Sequence, residues 1–145
     1  MRGVLISIKP EFAERIASGE KRVEFRRRAS ATLAGMWGLV YESQPTCAVV
    51  MRVRFGAAVR ATPTELWTRY RSGAGIHRAG FRAYMDGCAH AWALEIDRVE
   101  ILETVRDLAW LRARGVAAPM SYALIAPDAA WARGMLPRMR VGRAA

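Results

Sequence analysis

The sharpest chemical signal lies in the first 28 residues, in "SIKPEFAERIASGEKRVEFRRR" (7–28). It holds the only two lysines of the chain, Lys9 and Lys21, against 21 arginines. An arginine keeps its proton inside a protein, whereas a lysine is a compact charge whose pKa falls on burial. A site that needs a neutral amine, or a small ammonium in a tight pocket, cannot use arginine. Glu24 follows Lys21 by three residues and Arg26 follows Glu24 by two. A carboxylate there can accept a hydrogen bond from a base edge or act as a general base. It shares a strand face with Arg22 and Arg26, and its plainer role is a cross-strand ion pair. On a strand, a spacing of three puts Lys21 and Glu24 on opposite faces, unless the strand begins after Lys21 or bulges.

Hydroxyls and aromatic rings elsewhere could complete such a site. Ser121 and Tyr122, in "APMSY", could contact a phosphate or stack a base. Tyr41 and Trp37 are alternative stacking platforms, and equally good core residues. Arg26–Arg28 reads as a phosphate track if it borders a cleft and as a solvated edge if it does not. His77 and His90 have no carboxylate or thiol at a meaningful spacing. Cys47 and Cys88 lack CxxC spacing, so they read as packing residues. No metal site is expected without clustered His or Cys ligands, and no cofactor is expected, with no Gly-rich phosphate loop of the GxGxxG or GxxxxGK[ST] kind.

The elements that must position these groups are readable from periodicity. Val4–Ile8 is a short apolar run, a buried strand. Pro10 opens a helix over Pro10–Ser18, with Phe12 and Ile16 on its apolar stripe and Gly19 as its left-handed stop. Lys21–Arg27 alternates as a half-buried strand, with Val23 and Phe25 opposite Glu24 and Arg26. Trp37–Tyr41, Ala48–Phe55 and Trp92–Leu102 are further strands. In the last, the inward set changes parity at Asp97-Arg98, from Leu94 and Ile96 to Val99 and Ile101, which predicts a β-bulge. "TPTE" is a capping box that opens a helix over Pro63–Arg71. Helices are also predicted over Arg78–Asp86, Asp107–Arg114 and Pro127–Met135, with a closing strand in "PMSYALI" and a basic tail after it. Strands with helical insertions, and no βαβ regularity, predict a mixed sheet or small barrel.

A chain of 145 residues with 52% hydrophobic content fits one globular domain that needs no disulfide or metal staple. Its apolar runs fall far short of the roughly 18 to 20 residues that span a bilayer. Its start has one charge and about four apolar residues before Lys9 and Pro10 interrupt it, too short for a secretory signal. A cytoplasmic protein with no membrane partner is therefore expected. The net charge of +10 favours a polyanion partner. The Arg:Lys bias, with no Asn and a single Gln, fits high-GC coding as well.

Residues 5–28, "LISIKPEFAERIASGEKRVEFRRR", resemble the opening motif of the ASCH-domain family (activating signal cointegrator homology), within the PUA-like superfamily. "VYESQPT" (40–46), "ELWTRYRSGAGIHRAGFRAYMDG" (65–87), "AWALEIDRVEIL" (91–102) and "APMSYALI" (118–125) resemble later segments of that family, in the same order. The likeness implies an α+β fold, a PUA-like mixed β-barrel of five to six strands with helices inserted around it. It would occupy residues 1–126, with 127–145 as a C-terminal helical, basic extension. It also implies a ligand cleft beside the first helix and RNA, or a nucleoside or nucleotide, as ligand. The cleft would hold Ser7, Lys9, Lys21, Glu24 and Arg26, with Tyr41, Ser43, Ser121 and Tyr122 at its rim.

Three functions compete. The leading one is a binding module for single-stranded RNA or a modified nucleoside. The second is a hydrolase in the same cleft, either an N4-acetylcytidine amidohydrolase or a ribonuclease, with Lys21, Glu24 and Ser121 as candidate catalytic groups. The amidohydrolases of the family use a lysine, a threonine three residues later and a distant glutamate. Lys21 matches the lysine, but Glu24 stands where the threonine should be, so the hydroxyl would have to come from Ser121 or Ser43. The third is a regulatory module that binds a protein partner.

Overall fold

A computed structural model describes residues 3–137. The element order is β1 (Gly3–Ile8), α1 (Pro10–Ser18), β2 (Val23–Arg26), β3 (Trp37–Glu42), β4 (Ala48–Ala61), α2 (Pro63–Tyr70), α3 (Arg78–Met85), β5 (Ala91–Asp107), α4 (Leu108–Arg112) and β6 (Tyr122–Ile125). The six strands form one sheet in the order β2-β5-β4-β3-β1-β6. β1 and β3 run parallel and every other neighbouring pair is antiparallel. The result is the expected mixed α+β fold, a sheet curled into a partial barrel. Its edge strands, β2 and β6, are not hydrogen-bonded to each other as strands. A side chain bridges that gap instead: Arg26 on β2 reaches the backbone of Ser7 on β1 and the Ser121 hydroxyl at the foot of β6.

The inner face of the curl is lined by Val4, Ile6, Ile8, Val40, Met51, Val53, Phe55 and Leu94, and α1 plugs it with Ala13 and Ile16. The outer face is covered twice. Leu5, Leu39, Tyr41 and Val49 pack under α4 and the segment around Ala132. Val23, Phe25, Ala91 and Ala93 pack under α2 and α3. β1 is buried on both sides, which is why its sequence is a continuous apolar run rather than an alternating one.

Local signals account for the helix ends. Pro10 starts α1, where its missing N–H costs nothing, and Gly19 stops it in the left-handed conformation at φ 84°. Thr62 and Glu65 form both halves of the capping box on α2. The parity break in β5 is a bulge at Asp97. Arg54 pairs with Arg98 and Phe55 with Ile96, so Asp97 has no partner.

Three expectations need correction. The helix predicted over 127–135 is a single 3-10 turn, Ala130–Ala132, and Gly134 takes φ 83° soon after it. The basic tail beyond residue 137 lies outside the described residues. Ile101 is 63% exposed rather than inward. The pairing of β4 with β5 jumps from Met51–Ile101 to Val49–Arg106, so residues 102–105 leave the ladder and the inward pattern ends before them. Both long strands also outrun their predicted ends, because bulges keep the ladder going where the apolar alternation stops. Among the described residues, no helix is long and apolar enough to cross a membrane.

Candidate functional site

Lys21 sits in the link between α1 and β2. That link is stitched to the inserted helices by backbone bonds: Lys21 N–H donates to the Arg15 carbonyl and Arg22 N–H to the Gly73 carbonyl. β2 begins at Val23, after Lys21. The face rule for a strand therefore does not apply across this pair, and Lys21 and Glu24 come within electrostatic reach of each other.

Lys21 is 3% exposed. Its Nζ donates to the Ala74 carbonyl at 2.8 Å and lies 5.3 and 5.4 Å from the ring centroids of Phe12 and Phe25. Arg15 Nη1 takes the next carbonyl, that of Gly75, at 2.8 Å. Gly75 has φ 59°, and a Cβ there would lie 2.5 Å from Lys21 Cβ. Only glycine lets the loop come this close with that backbone conformation. Burial lowers the Lys21 pKa; Glu24 opposes that shift, while Arg15 and Arg26 add to it.

Glu24 is 8% exposed, and its Oε2 is buried with no hydrogen-bond partner among the described residues. Arg26, two residues on along β2, is in the same condition at Nε. Its other two nitrogens are engaged: Nη2 with the Ser7 carbonyl at 2.6 Å and Nη1 with Ser121 Oγ at 3.4 Å. Ser7 is fixed further by its N–H on the Ser121 carbonyl at 3.0 Å and its Oγ on the Pro119 carbonyl at 2.5 Å. Glu24 pairs with Leu94 in the β2–β5 ladder, so its side chain shares the inner face with Leu94. Tyr122 packs against that inner cluster as well.

The fold thus gathers Ser7, Lys21, Glu24, Arg26 and Ser121, and with them Tyr122, around the gap between β2 and the β1/β6 edge. It adds one residue that sequence reasoning missed. Tyr84, on α3, is 39% exposed, and its hydroxyl accepts the Arg27 N–H at 3.3 Å. Burial raises its pKa, and the charges of Arg26 and Glu24 both act on it. Its spacing hid it: at i+3 from Phe81 it reads as part of the apolar stripe with Phe81 and Met85, the buried residues of α3.

Three predicted members lie elsewhere. Lys9 is exposed at the N-terminus of α1 and lines an open cleft of about 570 Å³ with Pro10, Glu11, Ser43 and Gln44. Neither Lys21 nor Glu24 lines that cleft, so the two lysines do not share one hollow. Ser43 goes with Lys9. Tyr41 is buried on the outer face among Leu5, Leu39 and Leu111. Burial, with the neighbouring Cys47 thiol, raises its pKa. Its strand is covered on both sides, and its parity turns it away from the inner face that Val40 occupies. Trp37 carries the Arg52 guanidinium 5.5 Å from its ring centroid. Among the described residues, no three His, Cys, Asp or Glu side chains come together as a metal-binding group.

The chain was compared with known proteins. No family model matches it. It is 37% identical over 91 residues to a curated protein of Zymomonas mobilis named as an ASCH domain-containing ribonuclease, a match covering 61% of this chain and 60% of that protein's length. The crystal structure of ASCH from Zymomonas mobilis superimposes with a TM-score of 0.80 at 27% identity, covering 87% of this chain and 89% of that one. Structures of its serine-to-alanine and tyrosine-to-phenylalanine variants match at the same TM-score.

Proposed function

Because this chain resembles the ASCH-domain proteins of Zymomonas mobilis, we propose that it binds single-stranded RNA, taking one unpaired base into the gap between β2 and the β1/β6 edge. One observation carries this reading. Glu24 Oε2 and Arg26 Nε are an acceptor and a donor, two residues apart on one strand face, both buried and both unpartnered. Leaving such groups unmade costs about 1–3 kcal/mol each. A ligand that offers a donor beside an acceptor recovers that cost. The Watson–Crick edge of every base has that pattern, so the site would demand an unpaired base while tolerating its identity. Tyr84 offers a half-exposed ring at the mouth for stacking, and Arg27 and Arg28 are exposed beside it for phosphates.

The test is a comparison of one short RNA as a single strand and as its duplex, by fluorescence anisotropy. The single strand should bind at least about tenfold tighter, and Glu24→Leu should remove about tenfold to hundredfold of the affinity, as loss of a base-edge contact does. Equal affinity for the duplex, or an unaffected Glu24→Leu protein, would overturn the reading.

RNA cleavage in the same gap is a second reading. It is favoured by the pairing of a buried carboxylate with a lysine of lowered pKa, and by the name of the Zymomonas relative. Glu24 would take the proton of a ribose 2′-hydroxyl, whose oxygen attacks phosphorus. The bond to the 5′-oxygen breaks, and Lys21 gives its proton to that leaving oxygen. Arg26 would stabilise the charge that develops on the phosphoryl oxygens. The products are a 2′,3′-cyclic phosphate and a 5′-hydroxyl. Lys21→Arg, which holds its proton, should abolish cleavage. RNA that stays intact over long incubation with the parent protein would remove this reading and leave the binding one in place.

A further inference from the structure

We propose that the surface around α4, on the outer side of the sheet, is a second nucleic-acid contact that holds phosphates rather than bases. The proposal rests on the RNA reading above for the identity of its polyanion, but its geometry is independent of the inner gap. Trp110, on α4, has two guanidinium groups against its ring: Arg106 at 4.8 Å and Arg114 at 3.8 Å from the centroid. Arg114 is held at a second point, donating from Nη1 to the Trp110 carbonyl at 3.0 Å. The helix itself is anchored by Asp107 Oδ1, which accepts the Trp110 N–H at 2.8 Å.

A guanidinium stacked on an indole uses its flat face and leaves its in-plane N–H edge for other partners, of which Arg114 spends Nη1 on the Trp110 carbonyl. That edge is the fork that fits a phosphate. Two such cations on one ring repel each other, and the ring quadrupole offsets only part of that repulsion. Elsewhere on this face arginines have a carboxylate partner: Arg52 and Arg98 share Glu100. Among the described residues, neither Arg106 nor Arg114 has a carboxylate within salt-bridge distance. Arg106 and Trp110 open onto a cleft of about 380 Å³ whose other walls include Arg133 and Glu103. Arg112 is exposed beside them. Preorganised, uncompensated guanidinium edges recurring along a surface suit a strand whose phosphates also recur.

The experiment is the salt dependence of single-stranded RNA affinity for three proteins: the parent, Arg106→Gln/Arg114→Gln and Glu24→Leu. The double variant should show a slope of log affinity on log salt that is shallower by about 1.4, two phosphates at about 0.7 each. It should keep the preference for single strands over duplex. Arg114→Gln alone, at an exposed position, should lose about 0.7 and serves if the double variant does not fold. A parent-like slope in a folded variant overturns the proposal. So does a poly-glutamate peptide that binds the parent more tightly than RNA and loses that affinity in the double variant, since the face would then serve an acidic protein. A silent Glu24→Leu with a shallower slope in the double variant would defeat the inner-gap reading and leave this one standing.

Discussion

Arg26 and Ser7 join the two ends of the sheet, the guanidinium of one edge strand donating to a carbonyl on the strand beside the other edge. A fully closed barrel would satisfy that carbonyl with a backbone N–H from a neighbouring strand. Here the contact is a side chain, so the seam is a place where a ligand can enter without breaking a ladder.

Arg26→Met should therefore cost stability as well as binding. It deletes a charge-assisted hydrogen bond to a partly buried carbonyl, worth about 1.5–3 kcal/mol. Arg26→Lys keeps one donor and should recover part of the loss. Urea unfolding of the three proteins measures this; equal midpoints would mean that the seam does not depend on the arginine.

The loop that covers Lys21 gives a second prediction. Gly75→Ala forces a Cβ into Lys21 at a backbone conformation that favours glycine. Gly87, at φ 78°, has nothing within 4 Å of a built Cβ, so Gly87→Ala carries the backbone strain alone. Both should destabilise, Gly87→Ala by about 1–2 kcal/mol and Gly75→Ala by more. Thermal unfolding of the pair isolates the contact with Lys21. Identical losses would show that the loop yields freely.

A pH dependence follows from the same contact. Burial lowers the Lys21 pKa in the folded protein. Between that value and about 10.4, where an unfolded lysine titrates, the unfolded chain binds the proton more tightly than the folded one. Stability contributed by Lys21 therefore rises with pH through that alkaline window. In Lys21→Met that contribution is gone, so the parent should gain on the variant as pH climbs toward 10. Parallel stability curves for the two proteins would mean that the ammonium is as well solvated folded as unfolded.

How much of this was readable in the residues follows the range of each interaction. Pro10, Gly19 and the Thr62–Glu65 box act within one turn of chain, and the helices they bound begin where those signals put them. The Asp97 bulge was visible because a parity break is local. Tyr41 was not readable, because its orientation depends on α4 covering a face that the sequence gives no reason to cover. The separation of Lys9 from Lys21 was hidden for a similar reason. Lys21 is buried by Ala74, more than fifty residues away, while nothing comparable folds over Lys9. Glu24 illustrates the opposite outcome: a spacing of three looked unfavourable, and it works because the strand begins at Val23.

Tyr84 provides the last prediction, and the one that most directly separates stacking from charge at the mouth of the gap. The residue is 39% exposed beside Arg26 and Glu24. If it stacks on a base, the loss on Tyr84→Ala is about 1–3 kcal/mol, roughly tenfold to a hundredfold in affinity. Tyr84→Phe keeps the ring and loses only the hydroxyl that accepts the Arg27 N–H. A stacking role predicts near-parent affinity for Phe, a large loss for Ala, and the same salt slope in both, since no phosphate contact is removed. If the hydroxyl were the operative group, holding Arg27 in place for a phosphate, Phe and Ala would lose equally and both slopes would become shallower. Anisotropy titrations at a few salt concentrations distinguish the two. Unchanged affinity for Tyr84→Ala would take α3 out of the interface altogether.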